Sequence, residues 1–311
     1  MATKRGKLSK VFDYFSDEDP FAGGLSSCAG CPLELALRFI GKVLGRKDLV
    51  ITGTPSCSNP VISGQNVGAW HNLTAYCTLM TSAAANATGL SRYYRKIGQD
   101  ATVVCFNGDG TAADIGFQNL SGAAERNERF IYICYDNEGY MNTGVQRSST
   151  TPVGARTATT PVGPMRRGKP TGRKNLPLLM AMHWVPYAAT ATLSHLEDFA
   201  KKLLKAKEKK NEGLAYIHIY CPCPTGWGVP SELAIELCRN AVRTNYFPLW
   251  EAEHGRIRFT HEVKKPLPIT EYLKPIKKFS HLTPEEQQRI QENVDFEYAF
   301  LRHMAQFGKE A

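Results

Sequence analysis

Short apolar runs alternate with longer amphipathic ones along most of the chain. Residues 49–52, 101–106, 130–135 and 215–220 are rich in β-branched and aromatic side chains and are bounded by turn residues. They predict buried strands. Between them, apolar positions recur at helical spacing over 33–44, 78–96, 114–126, 194–207 and 231–244. Strands that are apolar on both faces and separated by helices predict an α/β fold, a parallel sheet flanked by helices. In such sheets ligands bind beyond the C-terminal ends of the strands.

Two stretches break the alternation. Residues 139–196 contain no acidic side chain but carry Arg147, Arg156, Arg166, Arg167, Lys169, Arg173 and Lys174. Their Thr, Pro and Gly content predicts a long functional excursion rather than a helix. Residues 251–311 mix Pro and Lys and end in a charged helical pattern over 284–306. They read as a C-terminal extension that docks a partner subunit, after a main domain over 1–250. No internal repeat or heptad pattern is present.

Composition narrows the class. The 311 residues are 42% hydrophobic and 22% charged, which suits a packed core rather than disorder. No apolar run is long enough to span a membrane. The start, MATKRGKLSK, has no apolar core of a secretory signal, so a cytoplasmic location is expected. The net charge of +9 favours anionic partners without choosing among them. Nine cysteines, an odd number, argue against a disulfide framework. Cys105 and Cys134 lie in strand-like runs, and Cys77 and Cys238 in helix-like ones. All four read as small buried hydrophobes.

The chemistry concentrates in two places. Gly108-Asp109-Gly110 follows the second predicted strand, and Asp136-Asn137 ends the third, with one predicted helix between them. The glycines let the backbone approach an anionic group. Asp109 offers a hard oxygen for Mg²⁺, and Asn137 a second at the same sheet edge. The other place is a set of cysteines: Cys28-Ala-Gly-Cys31-Pro, Cys57 in GTPSCSNP, and Cys221-Pro-Cys223-Pro after the fourth predicted strand. Four thiolates meeting at one sheet edge can hold an iron–sulfur cluster or Zn²⁺, and this reading leaves Cys221 and Cys223 as alternatives.

Together with YDNEGYMNTGVQRSSTTP, these motifs resemble the β, thiamine-diphosphate-binding, subunit of the 2-oxoacid:ferredoxin oxidoreductases. The resemblance covers residues 24–244. It implies that Asp109, Asn137 and the Gly139 carbonyl ligate Mg²⁺, and that Gly108, Gly110, Ala113 and Asp114 line the diphosphate. It implies Asn142 at the reaction centre, and one 4Fe-4S cluster on Cys28, Cys31, Cys57 and Cys223. The activity implied is thiamine-dependent oxidative decarboxylation of a 2-oxoacid, with electrons passing to ferredoxin. The glutamate that activates thiamine would come from an α subunit, and γ and δ (ferredoxin-like) subunits would complete the complex.

Pyruvate, with coenzyme A, is the first expectation for substrate. Arg156 raises oxalate as a second, through charge-assisted bonds to a further carboxylate. Two rival classes are a non-redox thiamine decarboxylase, which needs no cysteine set, and a zinc-stabilised nucleic-acid binder, which leaves G-D-G and Y-D-N without a purpose. Neither nucleic acid nor a membrane is therefore expected as a partner.

Overall fold

A computed structural model describes residues 9–17, 20, 26–59 and 73–310. Its centre is a sheet of strands β1 (Leu49–Gly53), β2 (Thr74–Cys77), β3 (Thr102–Gly108), β4 (Ile131–Asp136), β7 (Tyr187–Thr192), β8 (Ala215–Tyr220), β9 (Leu249–Glu253) and β10 (Arg256–His261), in the order β10-β9-β7-β8-β4-β3-β1-β2. The six strands from β7 to β2 run parallel, and β9 and β10 close one edge antiparallel. A two-residue hairpin, β5 (Val162–Gly163) with β6 (Arg166–Arg167), stands apart.

The sheet is dry on both faces because alternate residues of each strand face opposite helices. Ile51, Val104, Phe106, Ile133 and Ile217 pack against the helices Pro32–Leu44 and Leu196–Lys209. Their strand neighbours Val103, Cys105, Tyr132, Cys134 and Tyr216 pack against Ala83–Lys96, Phe117–Glu125 and Leu176–Met182. This explains why the central strands read as continuous apolar runs. A third apolar cluster, built on Tyr220, Trp227, Tyr246 and Tyr272, fills the space under the loops at one end.

Three local expectations are corrected. The helix expected from residue 114 begins earlier, as a π-helical turn over Gly110–Ile115 that runs into Phe117–Glu125. β3 ends at Gly108 and the turn opens at Gly110, with Asp109 alone between them, and a widened turn of this kind recurs at functional sites. The stretch 139–196 is not all excursion, because it ends in the helix Leu176–Met182 and the buried strand β7. Cys77 is exposed at the end of β2 rather than buried in a helix. Cys105, Cys134 and Cys238 are buried as expected.

Residues after 250 contribute part of β9, all of β10 and the long helix Pro284–Glu310. That helix buries Ile290, Val294, Leu301 and Ala305 against the body of the protein. Among the described residues no helix is long and apolar enough to cross a membrane.

Candidate active site at the C-terminal edge of the sheet

In-register pairing of Gly108 with Tyr135 and of Asp136 with Tyr220 brings the ends of β3, β4 and β8 level. The segments that follow them carry Asp109, Asn137 and Cys223. Cys57 follows β1, two strands away from β4 in the sheet order. A cleft opens here, lined by Gly108, Gly110, Asn137, Gly139, Asn142 and Cys57. The sheet therefore gathers most of the sequence-marked residues. Ala113 and Asp114 lie a turn further on and are not among the cleft's lining residues. Ala113 is buried in the apolar layer and its carbonyl accepts from Lys174, while Asp114 accepts from the Ser149 N–H at 3.0 Å and from its hydroxyl.

Asp109 is fully buried and held from several directions. Ser148 and Thr150 donate hydroxyls to its Oδ2 at 2.6 and 2.8 Å, and the Asn137 N–H reaches Oδ1 at 3.3 Å. The amide end of Asn137 lies 3.0 Å from Asp109 Oδ1 and 2.8 Å from the Gly139 carbonyl. With its nitrogen there, Asn137 donates to both, as the amide is best oriented in the absence of a cation. With its oxygen there, three acceptors converge. Mg²⁺ binds oxygen at about 2.0–2.1 Å, so neighbouring ligands of its octahedron stand about 2.9 Å apart. The observed spacings match that geometry, and the donor set is all oxygen. These residues fit a magnesium ion, and a half-turn of one amide is the only adjustment required of them.

Burial, followed by the nearby Asp136 charge, pushes the Asp109 carboxyl well above its ordinary range. A divalent cation would restore its charge. Burial acts on Asp136 too, but the hydrogen bond and charge of His218, with the Glu138 N–H and Thr150, outweigh it and leave that carboxyl below its ordinary value. His218 Nε2 sits 2.9 Å from Asp136, and its Nδ1 2.7 Å from the Tyr216 hydroxyl.

Four hydroxyl residues in a row, Ser148 to Thr151, buttress this edge. Thr151 donates to the Glu138 carbonyl at 2.7 Å. Lys169 gathers the row from behind, donating to the carbonyls of Thr151 and Gly172 at 2.5 and 2.9 Å and to Ser149 at 3.3 Å. Tyr140 caps the glycine turn by donating to the Gly110 carbonyl at 2.9 Å. A Cβ at Gly110 would lie 2.5 Å from the Tyr140 ring, so only glycine fits there.

The cysteines arrive from three loops. Cys31 and Cys223 each stand directly before a proline that opens a helix, Pro32–Leu44 and Pro224–Trp227. The Gly226 N–H donates to Cys223 Sγ at 3.2 Å. Burial pushes the Cys31 thiol up to about 11, and the nearby Cys223 and Cys28 add to it. Burial also lifts Cys57 to about 12, with Cys223, Cys31 and Cys28 contributing. Cys28, Cys31, Cys57 and Cys223 thus feel one another's charge, and Cys221 feels that of Cys31, Cys223 and Cys57 as well. Among the described residues no three His, Cys, Asp or Glu side chains close on a single point as one ion requires. Thiolates on one Zn²⁺ stand about 3.8 Å apart, from Zn–S bonds of about 2.3 Å. Cys221 is sealed in the apolar layer at 1% exposure, whereas Cys223 is partly buried against the third apolar cluster.

The family of thiamine pyrophosphate enzymes, C-terminal thiamine-pyrophosphate-binding domain, matches residues 56–219. The chain is 45% identical over 280 residues to pyruvate synthase subunit PorB of Methanothermobacter thermautotrophicus, covering 90% of this chain and 96% of that one. It is 40% identical over 302 residues to ketoisovalerate oxidoreductase subunit VorB of Pyrococcus horikoshii, covering 94% and 95%. The chain belongs to the β-subunit family of the 2-oxoacid:ferredoxin oxidoreductases. Another relative is the NADH-dependent phenylglyoxylate dehydrogenase subunit beta of Aromatoleum evansii, 43% identical over 308 residues, which are 98% of this chain and 69% of that protein. A solved 2-oxoglutarate:ferredoxin oxidoreductase from Magnetococcus marinus shares the fold, with a TM-score of 0.54 at 24% identity over 76% of this chain and 83% of that one.

For this β subunit, sequence reasoning overlooked the supports. Ser148, Thr150, Tyr140 and His218 act on the motif residues, and none was singled out. The run SSTT had been noted only as part of the resemblance. Four hydroxyl side chains in succession beside a carboxylate motif were the available signal. The basic stretch has mainly structural tasks. Arg167 pairs with Glu286, Arg173 pairs with Glu297 and stacks on Tyr246, and Arg156 lines a separate groove with Lys277.

Proposed function

We propose that this β subunit binds thiamine diphosphate through Mg²⁺ on Asp109, Asn137 and the Gly139 carbonyl, and one 4Fe-4S cluster on Cys28, Cys31, Cys57 and Cys223. With an α subunit that supplies the activating glutamate, it decarboxylates and oxidises a small 2-oxoacid, pyruvate first, in the presence of coenzyme A. Electrons leave through the cluster, by way of γ and δ subunits, to ferredoxin in the cytoplasm. One observation carries the reading: the cleft bordered by the diphosphate glycines Gly108 and Gly110 is also bordered by Cys57. A donor site and its first electron acceptor then share a wall.

Thiamine diphosphate, when bound, supplies the nucleophilic carbon and the electron sink for decarboxylation. The chain's own residues do the rest. Gly108 and Gly110 admit the diphosphate to the backbone. Asp109 and Asn137 fix its metal. Asn142, exposed at the cleft rim, donates to the substrate's carbonyl oxygen as charge grows there. Met80, Met141 and Pro55 make the cleft apolar, and no Lys or Arg is among its described lining residues. That favours a 2-oxoacid with an uncharged side group over oxalate, whose second carboxylate would find no cation among the described lining residues of the cleft. Pyruvate, ketoisovalerate and phenylglyoxylate, for which the relatives are named, all have such groups.

No glutamate is among the described residues of the cleft either, which supports a site completed by the α subunit. Residues 251–311 remain the proposed docking segment, as Phe296, Phe300 and Phe307 stand exposed on the terminal helix. The test is anaerobic purification of the chain alone and of the assembled complex. Both are expected to contain iron and sulfide, but only the complex reduces viologen with pyruvate and coenzyme A. Turnover by the chain alone removes the half-site reading. Turnover of the complex with oxalate but not pyruvate removes the substrate. A complex free of iron removes the redox reading in favour of a simple decarboxylase.

A further inference from the structure

The oxygen site and the cysteine pocket are joined by side chains that neither motif includes. Trp227 ends the short helix that Cys223 opens, and its indole N–H donates to the Asn137 carbonyl at 3.0 Å. Lys278 Nζ lies 3.5 Å from the centre of that indole. The same ammonium pairs with Glu138, the residue between Asn137 and Gly139, with both side chains at most 4% exposed. The other Glu138 oxygen accepts the Tyr246 hydroxyl at 2.6 Å. Glu138 adopts a φ of 62°, a left-handed conformation that a non-glycine residue takes only when its surroundings impose it.

A buried ion pair is a poor device for stability, because desolvation offsets most of the attraction and an apolar pair of equal volume often serves as well. Its orientation gives it another use. The carboxylate faces Tyr246, while the ammonium lies over the indole at the end of the Cys223 helix. Burial pulls the Lys278 ammonium below its ordinary value, and the charge and hydrogen bond of Glu138 work against that and favour its proton. The indole ring excludes water on that side, so the charge is weakly screened.

We propose that Lys278 sets the reduction potential of the cluster carried by Cys28, Cys31, Cys57 and Cys223. Its buried ammonium, fixed by Glu138 and Trp227 beside the Cys223 loop, stabilises the reduced cluster, which carries one more negative charge than the oxidised one. The inference rests on the cluster reading given above. Charge near a cluster is one of the established controls on its potential. The consequence is a better first acceptor, tuned from a position that touches neither substrate nor iron. Lys278 is in this sense a positioning residue for charge.

The test uses the assembled complex, purified anaerobically, with Lys278→Met, Lys278→Arg and the double replacement Glu138→Gln/Lys278→Met. The double variant leaves no lone buried charge, so it keeps the question open to measurement if Lys278→Met alone fails to fold. The reduced-cluster EPR signal of this subunit is identified as the one that Cys57→Ser abolishes, and it is followed by dye-mediated redox titration. Both methionine variants are expected to titrate at more negative potential. At the wild-type midpoint their reduced-to-oxidised ratio should fall about tenfold, equivalent to about 59 mV for one electron. The arginine variant should stay near wild type. A wild-type midpoint in the double variant overturns the proposal while leaving the cluster in place. A Cys57→Ser complex with unchanged signals and unchanged iron overturns the cluster reading itself, and this proposal with it.

Discussion

The two halves of the active edge are prepared in opposite ways. At the oxygen half, the carboxylates, hydroxyls and amide are already bonded to one another, and Asn137 bridges Asp109 and Gly139 as a cation would. At the sulfur half, burial holds Cys31 and Cys57 protonated, at about 11 and 12, until a metal displaces the protons. The first site is preorganised by its neighbours. The second, on the proposed reading, would have its bonding completed only by the cluster it takes up. Damage should therefore be graded at the oxygen half and all-or-none at the sulfur half.

The largest effect is expected from Cys57→Ser, which should reduce iron and sulfide per chain to background and bleach the absorbance near 400 nm. Cys221→Ser should retain both, since that thiol is sealed in the apolar layer. If Cys221 proves the more damaging of the two, the ligand set has been chosen wrongly. Next in size is Asp109→Asn. It should weaken thiamine diphosphate binding in magnesium by about 100-fold, or about 2.7 kcal/mol, measured by calorimetric titration, with iron content unchanged. Loss of iron in this variant would show that the halves are not separable. The smallest is Thr150→Val, which removes one hydroxyl behind Asp109. About a tenfold loss of magnesium affinity is expected, as for other groups that orient a metal ligand. An effect equal to that of Asp109→Asn would mean the oxygen half is as brittle as the sulfur half.

Much of this edge was legible because strand ends announce themselves. β1, β3, β4 and β8 are covered on both faces, so their apolar runs are unbroken, and the residues just after them are fixed by the sheet. β7 was hidden because its sequence, YAATAT, is small and mildly polar and follows a Pro- and Gly-rich stretch. β2 was hidden because it is short and largely exposed. The hydroxyl row was visible in the sequence, but which residues the supports act on was not, for a different reason. Ser148 and Thr150 lie 39 and 41 residues from Asp109, and Lys278 lies 140 from Glu138. A hydroxyl or an ammonium has no periodicity that betrays so distant a partner, whereas a glycine beside a carboxylate declares its geometry locally.

The last helix bears on how this protein would tolerate genetic change. Its Glu286 and Glu297 anchor Arg167 and Arg173, and those arginines belong to the loop whose Ser148 to Thr151 row holds Asp109. A premature stop after Thr283 would spare every motif residue and every strand of the sheet. It would nevertheless release that loop, so removing this helix should behave as an active-site lesion.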